Sequence, residues 1–119
     1  MAALAFTAYG VHWFAMGWNR MRRIDPRVNL GMAVGFLLIS VLGVIVFFHV
    51  GDDPVGGLFI GLVGVYVADI FASLGESAPK LAALGTRVLG FFHLGTGLWL
   101  MYLMFGVTLN LAAGFHLTV

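Results

Sequence analysis

Long apolar runs separated by short polar breaks organise the whole chain. The first run, residues 1–18, contains AALAFTAYGVHWFAMGW and ends at arginines. The second, residues 30–50, reads LGMAVGFLLISVLGVIVFFHV and carries only Ser40 and His49 as polar side chains. The third, residues 55–74, holds one acid, Asp69, and the fourth, residues 88–111, holds His93. A helix needs about 20 mainly apolar residues to cross about 30 Å of hydrocarbon, so the pattern predicts four transmembrane helices. The breaks read NRMRRIDPRVN, GDDPVGG and GESAPKLAALGT, and they take all three prolines, Pro26, Pro54 and Pro79. Proline there ends helices rather than kinking them. The expected fold is all-α: a polytopic membrane protein, a bundle of four transmembrane helices forming a single domain over residues 1–119.

Composition strengthens the membrane reading. Hydrophobic residues make up 61% of the chain and charged residues only 9%, against about 25% charged in soluble domains. The 17 glycines suit close helix packing in lipid. Gly31 and Gly35 form one GxxxG, and Gly57 and Gly61 another; the spacing fits either bundle filler or a dimer face. With no cysteine, disulfides, thiolate catalysis and thiolate-bound metals are excluded. A net charge of +1 without a basic stripe gives no footprint for nucleic acid. No nucleophile–base triad, phosphate loop or metal-ligand cluster appears, so neither an enzyme nor a cofactor is expected. The N-terminus shows neither the basic leader nor the cleavage site of a signal peptide.

Charge in the breaks bears on orientation. The first break has Arg20, Arg22, Arg23 and Arg27 against Asp25; the second has Asp52 and Asp53 and no base; the third has Glu76, Lys80 and Arg87. Arginine-rich short loops favour the cytoplasm, which puts the first and third breaks inside and both ends of the chain outside.

Depth then groups the buried polar residues. His12, Asp69 and His93 each fall about one and a half to two turns, roughly 8–12 Å, from the arginine side. Tyr9, Tyr66, Ser73 and Thr96 lie within about a turn of that level. An ionised side chain in hydrocarbon costs at least about 2.5–3.5 kcal/mol, so three at one depth must face one another or water. The layer reads as a path relaying protons, with histidines titrating near neutrality, or as a hydrogen-bonded cluster pinning three helices. His49 and His116 read as interfacial. Trp18 fits an interfacial belt, and Trp13 and Trp99 are expected to face lipid.

The segment AFTAYGVHWF resembles the third transmembrane helix of the acetate uptake transporter (succinate–acetate permease-like) family, where an A-F-T-x-Y-G-x-F-W-like stretch recurs. MYLMFGVTLNLAAG, with Tyr102, Leu103, Gly106, Leu109, Asn110 and Gly114, resembles the run closing the sixth helix, and Gly90 and Gly97 fall at similar positions upstream. Two apolar spans lie between the two segments, as in the family. The resemblance implies that the four spans correspond to helices three to six of a six-helix protomer, so that the chain is an incomplete protomer without the first two helices and their N-P-A-P-type motif.

It further implies uptake of acetate and related small mono- and dicarboxylates coupled to protons, in a bacterial inner membrane, by a homo-oligomer that is hexameric in the family. Of the family's narrow Phe–Tyr–Leu constriction, Tyr9 matches the tyrosine, Val65 stands where the leucine falls, and the phenylalanine belongs to a missing helix. Leu100 matches a pathway-facing position of the sixth helix. The family's helix count puts the arginine-rich first break outside, opposite to the charge rule. A carboxylate crossing a low-dielectric layer needs donors or a co-transported proton. Tyr9, Thr7 and Thr96 are the candidate donors, and His12, Asp69 and His93 the candidate proton carriers. Two other readings stay open: a b-type haem subunit with His12 and His93 as axial ligands, and a non-catalytic accessory subunit of a larger membrane complex.

Overall fold

The computed structural model describes the backbone of residues 2–119, and the side chains of all of these except 2–6, 8, 20 and 26. Four helices follow one another: α1 (Ala2–Met21), α2 (Leu30–His49), α3 (Asp53–Ala72) and α4 (Pro79–Ala113). Short 3₁₀ turns at Pro26–Asn29 and Gly75–Ser77 lead into α2 and follow α3. Among the described residues, the segments long and apolar enough to cross a membrane are Arg27–His49, Asp53–Ala72 and Pro79–Ala113. Helix α1 has the length, but Thr7, Tyr9, His12 and Asn19 interrupt its apolar run, so three segments rather than four meet the requirement. Large side chains stand exposed along α2 and α4, among them Leu38, Ile45, Phe91 and Leu94. So much contiguous apolar surface does not face water in a soluble monomer; the chain is an integral membrane all-α bundle.

The elements start where local chemistry starts them. Asp52 caps α3: its Oδ1 accepts the Val55 N–H at 3.2 Å, and Pro54 sits in the first turn. The connection from α2 is therefore only residues 50–52. Pro79 occupies the first turn of α4, preceded by Ala78 in a non-helical conformation. Proline at the first helical position costs no hydrogen bond, because that N–H has no partner within the helix. So KLAALGT, expected as loop, is helix, and α4 begins nine residues before Val88 at 35 residues. At 1.5 Å per residue this is about 52 Å of helix, well beyond the hydrocarbon thickness. Both ends of α4 reach the interfacial zones.

Helix α3 is the centre of the bundle and packs against both α2 and α4. It buries Leu58, Phe59, Leu62, Val65, Tyr66, Ala68 and Asp69, whereas α2 buries only Ala33, Ser40 and Gly43. Both of its packing partners run antiparallel to it. Phe48 meets Gly56 while Phe59 meets Gly43, and Trp99, Thr96 and Phe92 meet Gly57, Gly61 and Gly64 in turn. The second GxxxG is thus spent inside the chain on α4, whereas Gly31 and Gly35 face open space. At Gly85 it is backbone, rather than a side chain, that comes closest. A Cβ there would lie 2.5 Å from the Ala72 amide nitrogen and 2.8 Å from the Phe71 carbonyl carbon.

Two ends of the bundle are fastened differently. On the arginine side, Asn19 donates to Asn29 at 2.9 Å, and the Arg22 guanidinium stands 4.6 Å from the Trp18 ring. Asp25 accepts from the Arg27 backbone N–H and pairs with its guanidinium at 3.1 Å. That backbone bond first, and the guanidinium second, hold the exposed Asp25 carboxyl below the usual carboxylate range. At the other end, Gly114 takes a left-handed conformation at φ 68° and turns the chain back along α4. Asn110 grips the returning segment through the Leu117 N–H and C=O at 2.8 and 2.9 Å, Tyr102 donates to the Thr118 carbonyl at 2.9 Å, and Val119 packs on Gly106.

Candidate functional site

A polar contact deep among the helices ties α1 to the bundle. The Tyr9 hydroxyl lies 3.0 Å from Ser40 Oγ on α2, and Ser40 itself donates to the Phe36 carbonyl at 2.7 Å. A serine hydroxyl has one hydrogen. Since Ser40 spends it on Phe36, Tyr9 is the donor and Ser40 the acceptor. Both residues are buried. The phenolic oxygen therefore offers the remaining space only its acceptor lone pairs.

Around this bond the rings form a continuous box. Tyr9 stacks on Tyr66 at 5.9 Å between centroids, and Phe36 stacks on Tyr66 at 5.6 Å. The His12 imidazole lies 4.5 Å from Phe36 and meets the Tyr66 ring edge-on at 5.3 Å. His12 is only 2% exposed, and among the described residues neither ring nitrogen finds a hydrogen-bond partner. Buried polar groups nearly always have one, which makes this imidazole a candidate site residue. The Tyr66 hydroxyl is in the same condition.

On the far side of the Tyr9 ring a cavity of about 220 Å³ opens between α1, α3 and α4. Tyr9 and Trp13 line it from α1, Leu58, Leu62 and Val65 from α3, and His93, Thr96, Gly97 and Leu100 from α4. The wall is apolar except where Tyr9, His93 and Thr96 enter it. Trp13 packs edge-on against His93 at 4.5 Å and also meets His12 at 5.9 Å. The indole bridges the two imidazoles that were candidate haem ligands.

Five of the expected site residues thus share one cavity: Tyr9, Val65, His93, Thr96 and Leu100. His12 stands behind it in the aromatic box. Asp69 is buried on α3, about one helical turn beyond Tyr66, and does not line the cavity. Thr7 is exposed on α1 and does not line it either. The expectation that Trp13 faces only lipid is corrected: its ring also forms cavity wall. Trp99 is likewise engaged, its Nε1 donating to the Pro54 carbonyl at 2.9 Å.

In the sequence Ser40 is an isolated polar residue in an apolar span; its part in fixing Tyr9 depends on a contact 31 residues away. Among the described residues no three His, Asp or Glu side chains gather to hold a metal ion. No family model, curated protein or solved structure matches the chain.

Proposed function

We propose that the protein is a membrane transporter that carries acetate or a related small carboxylate, together with a proton, through the cavity between α1, α3 and α4. The observation that carries this reading is the wall of that cavity: apolar throughout, interrupted only by Tyr9, Thr96 and the titratable His93. A bare carboxylate entering such a wall loses its hydration without a counter-charge, which is costly. A proton delivered to it by His93 turns it into a neutral acid that the wall accepts. Thr96 supplies a hydroxyl donor, and Tyr9 becomes a second donor only on leaving Ser40.

His12 and Asp69, buried at the same level, serve as the proton store behind the cavity. The resemblance of the helices bearing Tyr9 and Leu100 to acetate uptake transporters points to the same substrate class. With it come a homo-oligomeric assembly and a bacterial inner-membrane setting as parts of the proposal. The test is uptake of labelled acetate by proteoliposomes under an imposed pH gradient, acidic outside. Gradient-driven accumulation that collapses with a protonophore is expected. Absence of gradient-driven uptake from well-inserted protein would sink the proposal.

A further inference from the structure

A second recess of about 590 Å³ lies at the end of the bundle remote from the arginines, where the start of α3, α4 and the returning C-terminal segment meet. Gly51, Asp53, Pro54, Trp99, Tyr102 and Thr118 line it. We infer that this recess is a binding site for an organic ammonium group, independent of the transport cavity. Four observations support this.

The first is a pair of aromatic rings, Trp99 and Tyr102, with centroids 5.4 Å apart and planes tilted by 36°. Aromatic faces attract cations, most strongly those of tryptophan and tyrosine, and such rings are the usual receptors of quaternary ammonium groups. The second is that both rings are held before any ligand arrives. Trp99 Nε1 donates to the Pro54 carbonyl and the Tyr102 hydroxyl to the Thr118 carbonyl, each at 2.9 Å. Little ordering entropy is then left to be lost on binding.

The third is charge. Asp53 brings a carboxylate to the same recess, while its neighbour Asp52 is already occupied in capping α3. The connection carries no Lys or Arg to oppose a cation. The fourth is the disposition of the helix ends. The C-terminus of α2 and the N-terminus of α3 are joined by a short connection, so their opposite partial charges offset and leave the carboxylates of Asp52 and Asp53 as the net charge at this end.

The recess lies beside the ends of α2 and α3, two helices long and apolar enough to cross a membrane, within reach of lipid headgroups. The ammonium can therefore come from a soluble amine or from the headgroup of a zwitterionic phospholipid; the chemistry recognised is the same. Binding of tetramethylammonium, followed by the change in tryptophan fluorescence, is measured with the protein in nanodiscs of phosphatidylglycerol. Saturable binding is expected, weakened about tenfold or more by Asp53→Asn and by Tyr102→Leu. Asp53→Glu and Tyr102→Phe, which keep the charge and the ring, should retain most of it and guard against misfolding of the first pair.

Repeating the titration in phosphatidylcholine nanodiscs separates the sources. Competition by the lipid identifies a headgroup site, and unchanged affinity identifies a site for soluble amines. Absence of saturable binding, full affinity in Asp53→Asn, or equal binding of choline and its uncharged carbon isostere 3,3-dimethylbutan-1-ol would each overturn the inference.

Discussion

Replacing Ser40 with alanine separates what holds α1 in place from what the transport cavity can offer a ligand. In the intact protein Tyr9 donates to Ser40 at 3.0 Å and both groups are buried. Ser40→Ala removes the acceptor and leaves a phenolic hydrogen without a partner inside the bundle, a loss of about 1–3 kcal/mol for a buried group. Tyr9→Phe removes the donor instead. Ser40 then still donates to Phe36, so the loss is smaller, about 1 kcal/mol. In the double variant neither penalty of an orphaned group remains, so the two losses do not add. Side-chain bonds between membrane helices average about 0.6 kcal/mol and reach about 1.7 in double-mutant cycles, and the coupling here is expected within that range.

The assay is reversible unfolding of the four proteins in mixed micelles. Function should move the opposite way from stability. Ser40→Ala frees the Tyr9 hydrogen for the cavity, so the KM for acetate uptake falls, by about fivefold for an interaction near 1 kcal/mol. A coupling of zero would refute the bond that docks α1. A normal coupling with a raised KM would refute the assignment of Tyr9 as a latent donor to the carboxylate.

Further outcomes follow from other contacts. Gly85→Ala drives a methyl group into the backbone of Ala72 and Phe71; it should lower stability by about 1–3 kcal/mol, read as a lower thermal midpoint. Gly90→Ala, where a Cβ meets nothing within 4 Å, should be neutral or slightly stabilising in the same experiment. Asp25 should titrate below its ordinary value of 3.8 when followed by carbonyl NMR. Because its folded value is depressed, its contribution to stability is present above the unfolded value and is lost as the pH falls through the folded one. Arg27→Gln should restore only part of the shift, since the leading cause is the backbone N–H of residue 27. Asn110→Ala removes both bonds to Leu117, so the Leu117 amide should exchange with deuterium markedly faster while α4 amides near Leu103 are unchanged. His12→Phe keeps a ring in the Phe36–Tyr66 box, so the protein should fold while the dependence of uptake on the pH gradient weakens.

The bundle was legible where a span is apolar on every side. Helices α2 and α3 follow directly from LGMAVGFLLISVLGVIVFFHV and the run around Asp69, because a helix surrounded by lipid and other helices needs no polar stripe. The start of α4 was not legible. Pro79, Lys80 and Gly85 carry the composition of a loop, but a proline in the first turn opens a helix as readily as it ends one, and Gly85 is set by close approach to Ala72 rather than by a turn. The common depth of His12, Asp69 and His93 is readable from spacing because rise per residue is a local property. Which of them reach the cavity depends on helix rotation, which depth does not fix: His93 lines it, whereas His12 is turned into the aromatic box and Asp69 lies off the wall. Trp13 and Ser40 were under-read for the same reason, since each acquires its role from a partner on another helix. The motif residues near the end of the chain have a structural meaning that spacing alone did not disclose. Tyr102, Gly106, Asn110 and Gly114 together hold the returning C-terminal segment.

The chain contains no cysteine, so Thr96→Cys places the sole thiol in the protein on the wall of the proposed path. Proteoliposomes of this variant are treated with a charged methanethiosulfonate reagent, and acetate uptake is measured before and after. Uptake that is present beforehand, is abolished by stoichiometric modification, and is protected when acetate is included during labelling is the result this account predicts. Gradient-driven uptake that continues at full rate through fully modified protein would contradict it, because the substrate would then be crossing elsewhere than between α1, α3 and α4.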